Sequence, residues 1–169
     1  MSGGFTVARP PAPHDYTDNG SPDILARDSS GVLWREDTVY YPESHQLTGS
    51  DRVKVGPGWN SYSRIVAVGN VAGSSAGDLI ARDNAGVLWL YTGTGKGTFA
   101  ARTKIGPGWN VYTQMFGIGD SNIDGKPDLI TRDSTGTTWR YLGTGNAAAP
   151  FAKRELTGVL PAHPYNTAL

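Results

Sequence analysis

The sequence lacks cysteine, long hydrophobic runs and any excess of charge of one sign. Without cysteine there can be no disulfide, no thiolate metal site and no cysteine nucleophile. No apolar run approaches the roughly 18 residues of a membrane-spanning helix, so we expect no membrane insertion. Lysine plus arginine and aspartate plus glutamate number 15 each, which gives a formal net charge of zero. This balance does not favour nucleic acid as a partner.

Segments with the apolar pattern of a capped amphipathic helix are also missing. The 169 residues contain instead 23 glycines, 11 prolines, eight tyrosines and five tryptophans. Such a mixture favours short strands joined by many turns. A chain of this length is expected to form one domain with its own core.

Three copies of one unit follow each other along the chain. They share short motifs at residues 22–28, 77–83 and 127–133, at residues 31–34, 86–89 and 136–139, and, in two copies, at residues 56–60 and 106–110. The first copy has five extra residues between Trp34 and Gly56. We expect this insertion to form a surface loop.

Each unit is predicted to form four short strands, which in the second copy span residues 64–69, 78–83, 87–92 and 99–105. Four strands repeated about every 50 residues are typical of a β-propeller blade. The predicted fold is therefore all-β, with three four-stranded units in a single propeller-type domain over residues 1–169. The units are placed at about residues 10–63, 64–114 and 115–164.

The two ends of the chain predict an exchange of strands. Residues 4–9 resemble the last strand of a unit, and prolines between 10 and 13 interrupt the place where the next first strand would run. At the other end, residues 165–169 align with residues 112–116, the start of a first strand, and could complete the first unit. Three blades are fewer than the usual four to eight. We therefore expect a homo-oligomer that closes one ring, or a piece of a longer propeller.

The loop at residues 120–128 has the pattern D-x-N-x-D-G-x-x-D. Its oxygen side chains stand at positions 1, 3, 5 and 9, with glycine at position 6; they are Asp120, Asn122, Asp124 and Asp128. Calcium takes six to eight oxygen ligands, and the carbonyl of Lys126 is expected to add one at position 7. An EF-hand is rejected, because position 12 is Thr131 and not glutamate. A polar turn without an ion remains the alternative, since the same residue types populate turns.

The corresponding loops of the first two units are weaker matches. The first has Asp15, Thr17, Asn19 and Asp23 at the ligand positions, Ser21 at position 7 and Gly20 at position 6. With two carboxylates instead of three, we expect weaker calcium binding there, and a bare turn stays open. The second has Asn70, Ala72, Ser74 and Asp78. With one carboxylate and an alanine, it is predicted to be free of metal.

The third unit, at residues 117–130, closely resembles the FG-GAP/VCBS repeat. Similar features extend over all three units, although the second departs from the pattern in its loop. This repeat builds integrin-type β-propellers with calcium between the first two strands of a blade. The motifs ARDxxGVLW, YxGTGxGxF and GPGWN are similar to repeats attached to secreted actinobacterial hydrolases. The resemblance implies an extracellular binding or scaffold module with structural calcium, and it implies no particular ligand.

Aromatic residues recur at equivalent positions of the units. They are Trp34, Trp89 and Trp139; Trp59 and Trp109; and Tyr62, Tyr112 and Tyr165. One interpretation is a set of exposed platforms for sugar rings, and the other is packing between blades. Because Trp59 and Trp109 follow Gly-Pro-Gly turns, we expect them to be the more exposed tryptophans. Ligand contact is predicted for Trp59, Trp109, Tyr62 and Tyr112.

The sequence contains few candidate catalytic residues and no catalytic motif. The three histidines, His14, His45 and His163, do not recur between units, and no zinc-protease, nucleophile-elbow or phosphate-loop motif is present. We therefore predict a secreted, calcium-stabilised propeller module that binds a carbohydrate or protein ligand and is not an enzyme. The alternatives are a structural or targeting appendage of a larger secreted hydrolase, or a self-assembling propeller fragment without a ligand of its own.

Overall fold

The computed structural model describes residues 13–50 and 52–159, and within these ranges the protein is all-β, as predicted. The strands are β1 (Ile24–Arg27), β2 (Leu33–Glu36), β3 (Thr38–Tyr41), β4 (Gln46–Gly49), β5 (Val53–Gly56), β6 (Tyr62–Gly69), β7 (Asp78–Asp83), β8 (Leu88–Tyr91), β9 (Thr103–Gly106), β10 (Tyr112–Gly119), β11 (Asp128–Asp133), β12 (Thr138–Tyr141) and β13 (Glu155–Thr157). Short 3-10 turns at Trp59–Ser61 and Trp109–Val111 precede β6 and β10. No helix in this part of the chain is long and apolar enough to cross a membrane.

The strands form four antiparallel sheets, two of which have four strands. Their orders are β6-β7-β8-β9 and β10-β11-β12-β13, and we call them the second and third sheets. The register is the same in both, with Tyr62 opposite Asp83 and Tyr112 opposite Asp133. The predicted last strand of the second unit begins late, at Thr103. Phe99 forms only an isolated bridge to Gly93. The glycine-rich segment between these two residues forms a turn and not a strand.

The first sheet has three strands in the order β1-β2-β5 among the described residues. The segment that contains the five extra residues forms a separate hairpin, β3-β4, in which Thr38 lies opposite Gly49. The predicted surface loop is therefore a hairpin of two paired strands. The run of Thr38, Val39, Tyr40 and Tyr41 consists of β-branched and aromatic residues, which favour paired strands. As expected, the insertion lies at the surface, since most of its side chains are exposed.

Two apolar clusters hold the sheets together. One, around Tyr16, Leu33 and Leu79, joins the first sheet to the second; the other, around Val68, Leu90 and Leu129, joins the second to the third. At the second junction the first strands, β6 and β10, lie side by side. A Cβ atom at Gly117 would clash with the carbonyl oxygen of Ala67, so this close approach requires glycine.

These residues do not form a closed ring of sheets, so the described part of the chain leaves the propeller as a proposal. The predicted strands at residues 4–9 and 165–169 lie outside the described residues, as does most of the proline segment.

Candidate functional site

The third loop, residues 120–128, is a tight turn organised by its own carboxylates. Asp120 accepts hydrogen bonds from the N–H groups of Asp124 at 3.1 Å and Gly125 at 2.7 Å, and Asp124 accepts one from the N–H of Lys126 at 2.9 Å. Ile123 and Gly125 adopt left-handed backbone conformations, with φ of 62° and 84°. Partial desolvation acts to raise the pKa of Asp120, but the N–H groups of Gly125 and Asp124 outweigh it and lower the pKa. The carboxylate therefore stays ionised at neutral pH, as a cation ligand must.

The first loop has the same conformation despite its different sequence. Asp15 accepts hydrogen bonds from the N–H groups of Asn19 at 3.2 Å and Gly20 at 2.8 Å, and Asn19 accepts one from Ser21 at 2.8 Å. Asp18 and Gly20 have φ of 60° and 85°, which match the values in the third loop. The three residue types shared at positions 1, 6 and 9 are thus enough to build the turn in both units.

The first loop differs from the third in being covered by the β3-β4 hairpin. The side-chain amide of Asn19 donates to the carbonyl of Thr38 at 2.9 Å, and the N–H of Tyr40 donates to the Ser21 hydroxyl at 3.0 Å. Asp15 is buried, whereas Asp120 is exposed. Protein groups of the hairpin therefore hold the first loop in place.

Position 9 carries a buried aspartate in all three loops: Asp23, Asp78 and Asp128. One oxygen of each accepts the N–H of the residue fifteen positions later, which is Thr38, Gly93 or Gly143, at 2.9–3.2 Å. The other oxygen accepts an N–H from the start of its own loop, from Tyr16, Ala72 or Ser121, at 2.8–3.0 Å. This aspartate therefore links the loop to the end of the third strand of the unit, or, in the first unit, to the start of the hairpin.

The second loop keeps this link without the other carboxylates. Its Asn70 side chain donates to the carbonyl of Ser74, and Ala72 offers no side-chain oxygen. Burial raises the pKa of Asp78. The aspartate at position 9 thus has a structural role that does not require a metal ion, and the prediction that this loop is free of metal stays a prediction.

The donor set of the third loop fits calcium chemically. Asp120, Asn122, Asp124 and Asp128 carry the hard oxygens that calcium prefers. In Asp128, Oδ2 accepts both the N–H and the hydroxyl of Ser121, whereas Oδ1 accepts one N–H, from Gly143, and retains a second lone pair. In the first loop, the Thr17 hydroxyl donates to Asp23 at 3.2 Å. Among the described residues, no group of three or more acidic, histidine or cysteine side chains is close enough together to hold a metal ion. Calcium therefore stays a prediction that rests on the donor types and the loop conformation.

Loops and glycine turns of successive sheets pack against each other at one end of the structure. The N–H of Gly97, in the turn after β8, donates to the carbonyl of Tyr16 in the first loop at 2.6 Å. A Cβ atom at Gly73, in the second loop, would clash with the carbonyl oxygen of Gly145 in the turn after β12. The first and second loops thus each meet the turn of the following sheet, and we call the loops and turns at this end the loop surface.

The four aromatic residues predicted to contact a ligand are buried. Trp59, Trp109, Tyr62 and Tyr112 are between 3% and 8% exposed. Trp59 packs against Tyr91 at 4.7 Å between ring centroids, and the Tyr62 hydroxyl bonds to that of Tyr91 at 2.5 Å. The expectation that Trp59 and Trp109 are the more exposed tryptophans was wrong. Left-handed Gly58 and Gly108 start a 3-10 turn, and each tryptophan is buried between two sheets. These rings pack the junctions and offer little exposed face for a ligand.

The repeated Arg-Asp pairs form contacts that the sequence analysis did not identify. In the second sheet, Asp83 accepts the indole N–H of Trp89 at 2.9 Å, which lowers the pKa of Asp83. Arg82 donates to the carbonyls of Trp109 and Tyr112 at 2.9 and 2.5 Å and so joins the second sheet to the third. Equivalent contacts join Arg27 to the carbonyls of Trp59 and Tyr62. The arginine and the GPGWN motif recur together in the first two units, and this joint recurrence was the sequence signal that could have predicted their contact.

A second arginine in each unit lies over a tryptophan. Arg102 lies 4.0 Å from the Trp89 ring centroid and donates to the Tyr62 hydroxyl, and Arg154 makes the same contacts with Trp139, at 4.1 Å, and Tyr112. Such stacking is a favourable cation–π arrangement. Each arginine therefore joins the tryptophan of one strand to the tyrosine that begins the first strand of a sheet.

The cavities of the described residues differ in size and in lining, and two of about 440–450 Å³ have polar linings that both include Arg64. One of about 190 Å³ lies beside the third loop and is lined in part by His14, Asn70 and Asp120. Its volume is below the roughly 300–1,000 Å³ of typical ligand pockets. Burial lowers the pKa of His14. The groove between β6 and β10 is larger, about 460 Å³, and mostly apolar. Neither places a nucleophile beside a base.

No protein-family profile matches the chain, and no curated protein matches it. The likeness of the third unit to the FG-GAP/VCBS repeat is therefore a resemblance in motif, and the functional argument rests on the loops themselves.

Proposed function

We propose that the chain is a non-catalytic, calcium-stabilised module of the β-propeller type, which acts outside the cell and binds a carbohydrate or a protein. The observation that carries this proposal is the third loop. It combines four oxygen side chains in alternate register with two left-handed residues and an ionised carboxylate at position 1. The first loop repeats the same backbone conformation with fewer carboxylates.

Calcium bound at this loop would neutralise the charges of Asp120, Asp124 and Asp128 and so stabilise the turn. The residues of the chain then transmit this stabilisation. Asp128 joins the loop to the N–H of Gly143 at the end of β12, and Asp120 organises the N–H groups of residues 124 and 125. The effect is to hold two strands of one sheet and the adjoining turn in a fixed arrangement.

The loop surface is the proposed place for ligand binding. Loops on a rigid scaffold are the usual carriers of binding function, and here the loops of one sheet pack against the turns of the next. The buried aromatic rings are assigned to packing, so recognition would use backbone groups and polar side chains of these loops. The alternative of a self-assembling module without its own ligand is supported by a different observation: among the described residues, one edge of β1 has no strand partner.

The test of the calcium proposal is thermal unfolding of chelator-treated protein titrated with calcium. Binding to the folded state alone stabilises by about 2.7 kcal/mol when free calcium is 100 times its dissociation constant. We expect such a gain for the wild type and its loss in Asp124→Ala. The control is Lys126→Met, which keeps the backbone carbonyl and should keep the gain.

A wild type indifferent to calcium would refute the proposal, and an unchanged gain in Asp124→Ala would refute the site. Ligand binding is tested on a glycan array with calcium present. Specific binding that is lost on chelation supports the module, whereas binding to no glycan leaves a protein ligand to be sought by the same calcium dependence.

A further inference from the structure

Within residues 13–50 and 52–159, the first sheet lacks the strand that begins each of the two four-stranded sheets. In the second and third sheets, β6 and β10 pair with β7 and β11, whereas β1 has no partner on the equivalent side among the described residues. The side chains show the same difference. Ile24 of β1 is 56% exposed, while its equivalents Leu79 and Leu129 are 1% and 0% exposed. A strand edge of this kind presents N–H and C=O groups that can pair with another strand.

A side-chain cluster of the first sheet is incomplete at the same place. In the second sheet, Arg102 lies over Trp89 and donates to the hydroxyl of Tyr62, the first residue of β6. In the first sheet, Arg52 lies 4.2 Å from the centroid of Trp34 in the same way. No described residue supplies the tyrosine hydroxyl. The missing strand should therefore begin with tyrosine.

The chain contains one further segment of this description, at its C-terminal end. Residues 165–169 begin with Tyr165 and align with residues 112–116 of β10. The order of the strands along the chain indicates which sheet these residues would join. The segment after β5 starts the second sheet, and the segment after β9 starts the third. The segment after β13 should therefore start a sheet that follows the third.

We propose that residues 165–169 of one copy of the chain pair with β1 of a second copy and supply the missing strand of its first sheet. A second copy is the occupant because a chain that returned to its own first sheet would close a ring of only three sheets, below the usual four to eight blades. The interaction is strand addition to a sheet edge, in which backbone hydrogen bonds bind and alternate side chains select.

The pairing of β10 with β11 sets the register of this contact. Thr131 lies opposite Met115, and Ile130 lies opposite Phe116. By equivalence, Ala168 lies opposite Ala26, and Leu169 opposite Leu25. Tyr165 then reaches Arg52, which completes the cluster of the first sheet. The choice of a second copy rests on the propeller part of the proposed function, but the assembly does not involve the calcium ligands, so it can fail without affecting the calcium result.

The test uses the absence of cysteine from the natural chain. Chains carrying Ala26→Cys and chains carrying Ala168→Cys are mixed, oxidised mildly and separated without reductant. We expect a 26–168 disulfide between chains, identified by mass spectrometry, and a species of twice the 18.0 kDa chain mass. The control pairs Ala26→Cys with Thr167→Cys, in which the two side chains point to opposite faces of the strand pair.

A folded protein that forms no 26–168 disulfide overturns the proposal. If the chain with both cysteines forms the disulfide only within itself, a second copy is not the occupant, and the proposal also fails. Light scattering provides a second measurement. The wild type should be an oligomer, and removal of residues 165–169 should yield a monomer with an unchanged circular dichroism spectrum. A monomeric wild type would overturn the assembly without affecting the calcium result.

Discussion

Replacement of Asp78 by alanine tests whether the position-9 aspartate is structural in its own right. Asp78 is fully buried and accepts the N–H of Gly93 at 2.9 Å and the N–H of Ala72 at 2.8 Å. It lies in the loop that is predicted to be free of metal. A loss of stability here therefore reports on the hydrogen bonds and not on calcium.

The magnitude follows from the groups left without a partner. A buried donor that loses its acceptor costs about 1–3 kcal/mol, so two such donors give about 2–6 kcal/mol. Burial of the Asp78 carboxylate, which raises its pKa, carries a desolvation cost, and relief of that cost in the variant offsets part of the loss. We expect Asp78→Ala to lower the free energy of unfolding by about 2–4 kcal/mol. Asp78→Asn, which keeps one acceptor, should cost about half as much.

The assay is urea unfolding at neutral pH, followed by circular dichroism, in chelator and in calcium. The control is Ser75→Ala, an exposed change in the same loop, which should stay within about 0.5 kcal/mol of the wild type. A loss below about 0.5 kcal/mol for Asp78→Ala would refute the reasoning. A loss that appears only in calcium would show that this loop binds the ion after all.

Three further outcomes follow from the junctions and the turns. Arg82→Gln should lower the free energy of unfolding by about 2–4 kcal/mol, since it removes two charge-assisted hydrogen bonds to carbonyls of the third sheet; urea unfolding measures this, and a neutral effect contradicts it. Trp109→Ala should cost about 3–5 kcal/mol in the same assay, because it empties a buried position between sheets, and a loss below about 1 kcal/mol contradicts that packing role. Asp83→Asn should reduce the fall in the free energy of unfolding that accompanies a decrease of pH in the acid range. The hydrogen bond from Trp89 lowers the pKa of Asp83, so the unfolded chain takes up the proton first, and the contribution of this group is lost as pH falls below about 4; an unchanged fall in this free energy contradicts it.

The all-β class and most strands of the second unit could be predicted because their signals are local. Short apolar runs and the Asp-to-Gly turns, such as 83–86, report on neighbours a few residues apart. The loop conformation was predictable for the same reason, since Asp120 bonds to N–H groups only four and five residues away. The β3-β4 hairpin was missed because an insertion carries no repeat to compare it with. Its β-branched and aromatic residues were nevertheless a usable signal.

The direction in which the aromatic residues point was decided by the tertiary structure. Trp59 follows a glycine turn that is compatible with an exposed ring, but its contacts are with Tyr91 and Phe99, about 30 to 40 residues away along the chain. The two carbonyls that Arg82 binds are equally distant.

The sequence by itself therefore determined the strands, the turns and the loop that presents oxygen atoms, because each depends on residues close together in the chain. Only the tertiary structure decided which rings are buried and which arginines join the sheets. Those outcomes depend on how whole sheets pack, and packing brings together side chains whose separation along the chain carries no pattern of its own.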